Sequence, residues 1–338
     1  MRNEKYTELK YKPHLVILGA GATMATIPTG DKNGIKCSAM NNFIEALGLS
    51  ECFQGISLKT TSKNLEDIYS ELYERDDCLE IRQKLESEIW NYMSKLRLPD
   101  NPTIYDLLII SLRGKDAIAT FNWDPLLLEA YRRVRKITKD LPELLFLHGC
   151  VDVGICKADN RYGYIESKCP ICKNKFETIP LLYPIKEKNY TDDIFIAHQW
   201  DSLKSYLEKA YIVTIFGYGA PKSDVEAIRR LKEWYSFSGK SLNQIEIIDL
   251  ETRDKLIESW SYFYDTSNGH VETFISFNEC SIAAFPRRST EGIYKIYMDG
   301  WWSDSFFPLK RNYTTFEDLD VHFREILRLE EELDFEVN

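Results

Sequence analysis

The chain has 338 residues, 44% apolar and 28% charged, enough for one large core or a core with a small satellite. Its net charge of -10 excludes broad, unassisted wrapping of DNA or RNA, because counterion release needs a basic face. The start, Met1-Arg2-Asn3-Glu4, lacks an apolar leader, and no apolar run approaches the roughly 20 residues that span a bilayer. A cytoplasmic protein with reduced thiols and no membrane contact is expected.

Leu15-Val16-Ile17-Leu18 runs into Gly19-Ala20-Gly21-Ala22-Thr23. A short, wholly apolar run is the pattern of a buried parallel strand, and the glycines permit a tight turn against a phosphate. Met24 stands where the full G-x-G-x-x-G fingerprint needs its third glycine, and Thr26-Ile27-Pro28-Thr29-Gly30-Asp31 stops any long helix. Taken alone, the segment is equally a tight turn without a ligand.

From Ala39 to Ile110 the spacing predicts helices. Met40, Phe43, Ile44 and Leu47 share one face, Leu65, Ile68, Tyr69 and Leu72 a second, and Ile81, Leu85, Ile89 and Met93 a third. Leu107–Ile110 also keeps helical spacing with Ile104 and Leu112, so it is read as the last helix of an insert.

Ala117–Thr120 is the second predicted strand, and Asn122 and Asp124 project just beyond it. Pro125 then opens a helix over Leu126–Arg133. Leu144–Leu147 is a third strand leading into His148-Gly149. Ile212–Phe216 is a fourth, followed by Gly217-Tyr218-Gly219 and a helix capped by Ser223. Ile245–Ile248 is a fifth, ending at Asp249. In an open parallel sheet such exits face one crevice, where ligands bind. The expected fold is α/β: a Rossmann-like parallel sheet over residues 12–270, with a helical insert at about 36–110 and a small zinc-knuckle lobe at about 150–180. Residues 271–338 mix strand and loop signals and read as a C-terminal extension.

Cys169-Pro170-Ile171-Cys172 is a thiolate knuckle whose spacing turns two sulfurs toward one ion. Cys156-Lys157-Ala158-Asp159 is half of a second, and the fourth ligand is either Asp159 or Cys150. Structural Zn2+ is the expectation, against a lobe folded without metal or a redox pair. Cys37, Cys52, Cys78 and Cys280 read as small buried side chains.

In this order the segments resemble the Sir2 superfamily. Gly19-Ala20-Gly21-Ala22-Thr23 is similar to its GAG-S/T loop, and Ile27-Pro28 to its following Ile-Pro. Thr120-Phe121-Asn122-Trp123-Asp124 resembles Thr-Gln-Asn-Ile-Asp, His148-Gly149 the catalytic His-Gly, and Gly217-Tyr218-Gly219 the late dinucleotide loop. Cys156, Cys169 and Cys172 fall where three zinc cysteines are placed, with Asp159 at the remaining position. The Phe-Gly-Glu of protein deacylases is replaced by Ile179-Pro180-Leu181-Leu182-Tyr183-Pro184-Ile185-Lys186, similar to Pro-Leu-Ile-Pro-Pro-Thr-x-x-Lys in the prokaryotic SIR2-like defence branch. Gly217, Tyr218, Pro221 and Asp224 also follow that branch. The resemblance implies an NAD+ hydrolase that depletes the dinucleotide during phage infection, gated by oligomerisation or a protein partner.

Breaking the nicotinamide–ribose bond builds oxocarbenium character on a sugar whose leaving group is already cationic. Orientation and charge stabilisation therefore matter more than proton donation. Asn122 is expected to hold ribose hydroxyls or the attacking water, and His148 to bind the adjacent hydroxyl and accept a proton. Asp124 orients the loop or contacts the nicotinamide-side ribose. Gly19, Ala20, Gly21 and Thr23 would hold the pyrophosphate, with Thr120, Gly217 and Gly219 lining the dinucleotide and Asp249 reaching the adenosine ribose. Singly, Asn122 also reads as a turn residue and His148 as a packed core histidine. The competing functions are an NAD-dependent deacylase or ADP-ribosyltransferase, and a module that binds NAD+ or ADP-ribose without turnover.

Overall fold

β1 (His14–Leu18) is buried along its whole length, and its apolar side chains divide between two separate clusters. Val16 and Leu18 enter one, Leu15 and Ile17 the other. A strand covered on both faces has no side to give to water, which is why Leu15–Leu18 carries no polar residue. In this computed structural model residues 11–37, 43–53, 55–183, 190, 193–220, 224–236, 244–261, 263, 270–299 and 307–335 are described.

β1 passes through Gly19 into α1 (Ala20–Thr26). The insert follows as α2 (Phe43–Ala46), α3 (Leu65–Tyr73), α4 (Leu79–Met93) and α5 (Ile104–Ile110). Next come β2 (Ala117–Thr120), α6 (Leu126–Val134) and β3 (Glu143–Phe146), then a lobe of β4 (Val153–Cys156), β5 (Arg161–Tyr164) and β6 (Glu177–Thr178). The chain returns through α7 (Ile194–Lys209), β7 (Ile212–Phe216), α8 (Val225–Ser236), β8 (Gln244–Ile248), α9 (Arg253–Trp260) and β9 (His270–Phe274). α10 (Ser281–Ala284), α11 (Ser289–Asp299) and α12 (Phe316–Phe335) complete it.

The main sheet is parallel throughout, in the order β3-β2-β1-β7-β8-β9. Helices cover both faces. α3–α6 and α12 pack on the face of Val16 and Leu18, and α7, α8 and α9 on the face of Leu15 and Ile17. The result is a mixed α/β fold with a parallel core sheet and helical insertions. Chain order reverses beside β1, so β1 and β7 flank the switch point where such sheets bind ligands. Register puts Leu18, Thr120, Phe146, Phe216, Ile248 and Phe274 in one row. The residues that follow them, Gly19, Phe121, Leu147, Gly217 and Asp249 among them, are therefore the exits that meet at one edge.

The five sequence-predicted strands are all present, shifted by at most a residue at their ends, and the run ending at Ile110 is helical. Pro125 stands just before α6 rather than inside it. Met40, Pro184–Lys186, Pro221 and Ser223 lie outside the described residues. β9 is the sixth strand of the sheet, and Ile282, Leu319 and Phe323 enter the same cluster as Val16.

That C-terminal part is joined to the sheet by buried polar groups. His14 Nε2 pairs with Thr214 Oγ1 and its Nδ1 with Ser289 Oγ, both at 2.7 Å. Thr214 and Ser281 donate to Glu246 at 3.1 and 3.0 Å. Arg113 pairs with Glu291 and Glu330, while Arg287 pairs with Glu330 at 2.5 Å and Asp140 at 2.6 Å.

Candidate active site and metal cluster

Gly19 and Gly217 stand side by side at the switch point because nothing larger fits. A β-carbon on Gly19 would lie 2.5 Å from the Gly217 carbonyl oxygen, and one on Gly217 would lie 2.3 Å from the Ala22 nitrogen. Gly217 also has φ +60, a conformation costly for other residues. The N–H groups of Gly19 and Gly21 donate to the carbonyls of Phe216 and Gly217 at 3.0 and 2.9 Å. These two donors, expected to face a pyrophosphate, instead lock the β1 exit onto the β7 exit. Ala20 begins α1, and the space beside Gly219 is open.

Asn122 is drawn into the same corner. Its Nδ2 donates to the Gly19 carbonyl at 2.8 Å and to Thr23 Oγ1 at 3.0 Å, with Tyr105 Oη at 3.3 Å. Thr120 Oγ1 accepts the Asn122 backbone N–H at 3.0 Å, so Thr120 shapes the loop. Thr23 donates to Asp124 Oδ2 at 2.8 Å, and the other carboxylate oxygen accepts the Leu126 N–H at 3.0 Å. Asp124 thus ties α1 to the start of α6. Burial pushes its carboxyl above the usual aspartate range. Burial and the nearby Asp124 charge likewise push the Tyr105 hydroxyl far up, so it stays protonated.

His148 packs against Phe121. The Phe121 ring is stacked on Tyr218 with centroids 4.1 Å apart, and the imidazole meets it edge-on at 4.8 Å. Tyr190 stacks on His148 at 6.1 Å. His148 is 5% exposed, and its carbonyl accepts the Leu182 N–H at 2.9 Å, which brings the 180–182 segment over the histidine turn. Gly149 has φ +82 there. Tyr218 also donates to Asp224 at 2.8 Å, so two members of the Gly-Tyr-x-x-Pro-x-x-Asp pattern touch. Asp249 is half-buried at the β8 exit and accepts the Glu251 N–H at 3.1 Å.

Two features escaped sequence reasoning. Tyr105 lies in an apolar run whose periodicity announces only core, and the stacked Phe121–Tyr218 pair joins residues 97 positions apart. A cleft of about 880 Å³ lies elsewhere, between α6, α12 and the loop carrying Arg97 and Leu98.

In the lobe, Cys156, Asp159, Cys169 and Cys172 bring one ligand atom each within 4.8 Å of one another. Cys169 and Cys156 sulfurs lie 3.1 and 3.5 Å from Asp159 Oδ2, and the Cys156 and Cys172 sulfurs are 3.4 Å apart. Thiolates on one tetrahedral zinc are separated by about 3.8 Å, so this donor set fits the ion with little adjustment. Hydrogen bonds from Cys172 and Cys169 hold the Asp159 carboxyl below its ordinary range. Cys150 is not part of the cluster. It is fully buried near the Asp124 carbonyl, 3.5 Å away, and Asp159 is the fourth residue of the cluster. β5-β4-β6 form the antiparallel sheet beneath, and Phe176 lies across Gly154 and Gly163, where a β-carbon would clash with it.

No protein-family model matches the chain, and no curated protein sequence matches it. Solved structures similar to its fold include Sir2 homologues. A Sir2 homologue–NAD complex is 14% identical, over 80% of this chain and 88% of that one, with a TM-score of 0.34. A Sir2 enzyme structure addressing mechanism and regulation is 14% identical, over 80% and 90%, with a TM-score of 0.39. Sir2 bound to the inhibitor EX-527, 2'-O-acetyl-ADP-ribose and a deacetylated p53 peptide is 14% identical, over 88% and 98%, with a TM-score of 0.36. No described helix is long and apolar enough to cross a membrane.

Proposed function

We propose that the chain is an NAD+-consuming enzyme that cleaves the nicotinamide–ribose bond and, with water as acceptor, gives nicotinamide and ADP-ribose. The observation that carries this reading is the anchored amide of Asn122 at the switch point of a parallel sheet, next in sequence to Phe121, whose ring meets the His148 imidazole. When the C–N bond breaks, its electron pair leaves with nicotinamide, which departs neutral. The sugar carbon, left electron-poor, takes water, and the water's proton passes to His148. Asn122 holds a ribose hydroxyl or that water. Asp124 keeps Asn122 and α6 in place, and the dinucleotide runs along the exits from Thr23 and Ala20 to Gly217, Gly219 and Asp249. Zn2+ on Cys156, Asp159, Cys169 and Cys172 would staple the lobe and take no part in the bond cleavage. Depletion of NAD+ during phage infection, under control of a partner or of self-association, is the biological role this activity would serve.

Deacylation and ADP-ribosyl transfer begin with the same cleavage and differ only in the acceptor. Purified protein incubated with NAD+ alone separates the readings. Release of nicotinamide and ADP-ribose, lost in Asn122→Ala and His148→Ala while ADP-ribose still binds, is the expected result. Strict dependence on an acylated peptide or protein acceptor would transfer the proposal to the transferase reading. Binding without turnover, with or without acceptors, would leave a non-catalytic module.

A further inference from the structure

Tyr105 reaches the site from the insert. α5 is fixed at both ends. Arg287 places its guanidinium on the Ile110 and Leu112 carbonyls at 3.4 and 3.2 Å, and Arg133 holds Asp106 and the Asn101 carbonyl at 3.3 and 2.7 Å. The helix therefore delivers the Tyr105 hydroxyl to one place, 2.8 Å from Thr23 Oγ1.

Proton counting fixes what that contact does. Thr23 has one hydroxyl proton, and it goes to Asp124. Its lone pairs are left for the Tyr105 O–H and one Asn122 N–H. The Gly19 carbonyl only accepts, so the Asn122 NH2 group, not its oxygen, must face it. Both amide protons are thus committed inward. Asn122 is half-buried, and every side-chain hydrogen bond it makes among the described residues runs through Nδ2, leaving Oδ1 without a partner there.

We infer that Tyr105 is a positioning residue that holds Thr23 and, through it, the Asn122 amide, so that Asn122 meets its substrate as a hydrogen-bond acceptor through Oδ1. The group recognised is then a donor: a sugar hydroxyl or the attacking water, not a carbonyl or a phosphate oxygen. This specification rests on the proposed cleavage of NAD+.

The test uses the full-length chain and Tyr105→Phe, which removes one oxygen from a buried ring. Turnover of NAD+, ADP-ribose affinity and hydrogen exchange of the Asn122 side-chain NH2 by NMR are compared with the wild type. The expected outcome is a fall of about tenfold in kcat with ADP-ribose affinity within about twofold, and faster exchange of the Asn122 NH2 protons. In a Thr23→Val background the same substitution should change kcat by less than about twofold, because both act through one oxygen. A purely structural tyrosine would lower the melting temperature and leave kcat and the double-mutant coupling untouched, which overturns the inference. Were wild-type protein inert toward NAD+, the proposed function would fall, and exchange would judge the inference alone. Unprotected Asn122 NH2 protons in the wild type, or protection unchanged in Tyr105→Phe, would overturn it. Should Tyr105→Phe not fold, the wild-type exchange measurement still decides.

Discussion

Gly21 donates its N–H to the carbonyl oxygen of Gly217 at 2.9 Å, and the two backbones lie so close that a β-carbon on Gly21 would stand 2.7 Å from the Gly217 Cα. Two strand exits are welded together at the centre of the sheet, and the geometry of everything beside them follows. Gly217→Ala, which adds a β-carbon against the Ala22 nitrogen at φ +60, should destabilise the chain by about 3 kcal/mol or more. Gly219→Ala, facing open space, should cost less than about 1 kcal/mol. Urea unfolding of both variants checks the contrast, and equal losses would contradict it.

Asn122→Asp keeps the shape and replaces the inward NH2 with a second oxygen facing the Gly19 carbonyl. Two acceptors would then confront each other, a loss of about 1–3 kcal/mol in stability. NAD+ turnover should fall by at least about a hundredfold, because the amide loses its fixed orientation. Retained turnover in Asn122→Asp would show that the orientation is unimportant.

Elemental analysis of the purified chain should find one zinc per molecule, and chelation should lower the melting temperature. Cys172→Ser should lose the ion, since a serine hydroxyl replaces a thiolate of the cluster. Cys150→Ser, whose sulfur belongs to the main core, should keep it. Loss of zinc in Cys150→Ser alone would reverse the ligand assignment.

His14 is fully buried and burial lowers its pKa from 6.5 to about 3, so it is neutral in the folded chain. Its depressed value means stability is present above pH 6.5 and is lost as pH falls from 6.5 toward 3, where only the unfolded chain gains the proton. Between pH 6.5 and 5.5 the wild type should lose about 1 kcal/mol relative to His14→Gln. Burial also raises Asp106 to about 6, a shift of opposite sign, so the comparison with the variant carries the test rather than the wild-type slope. Parallel pH profiles for the two proteins would refute it.

The strands with residues buried on both faces could be read directly, because a four- or five-residue apolar run ending in glycine or a polar group matches little besides a covered central strand. β9 could not. His270-Val271-Glu272-Thr273-Phe274 is a partly exposed edge strand with a mixed composition, and its identity comes from pairing with β8 rather than from its own pattern. The lobe strands are short and polar, and the knuckle was legible only because cysteine spacing is itself a signal. Asn122 and Asp124 stood out at a strand exit. Tyr105 did not, since helical periodicity reports which side of a helix is buried and says nothing of where one hydroxyl ends up. Which of Asp159 and Cys150 lies beside the other three side chains was likewise a matter of where the chain folds back, which spacing alone does not report.

The polar junction beneath the sheet sets the limits of the smallest foldable unit. Glu330, near the end of α12, neutralises both Arg113 and Arg287, and β9 covers the open edge of β8. A fragment trimmed after β8 would bare a strand edge that templates aggregation and leave the Arg113 guanidinium without Glu291 and Glu330. Dissection of this protein should therefore proceed by point substitution, with the last helix kept in every version.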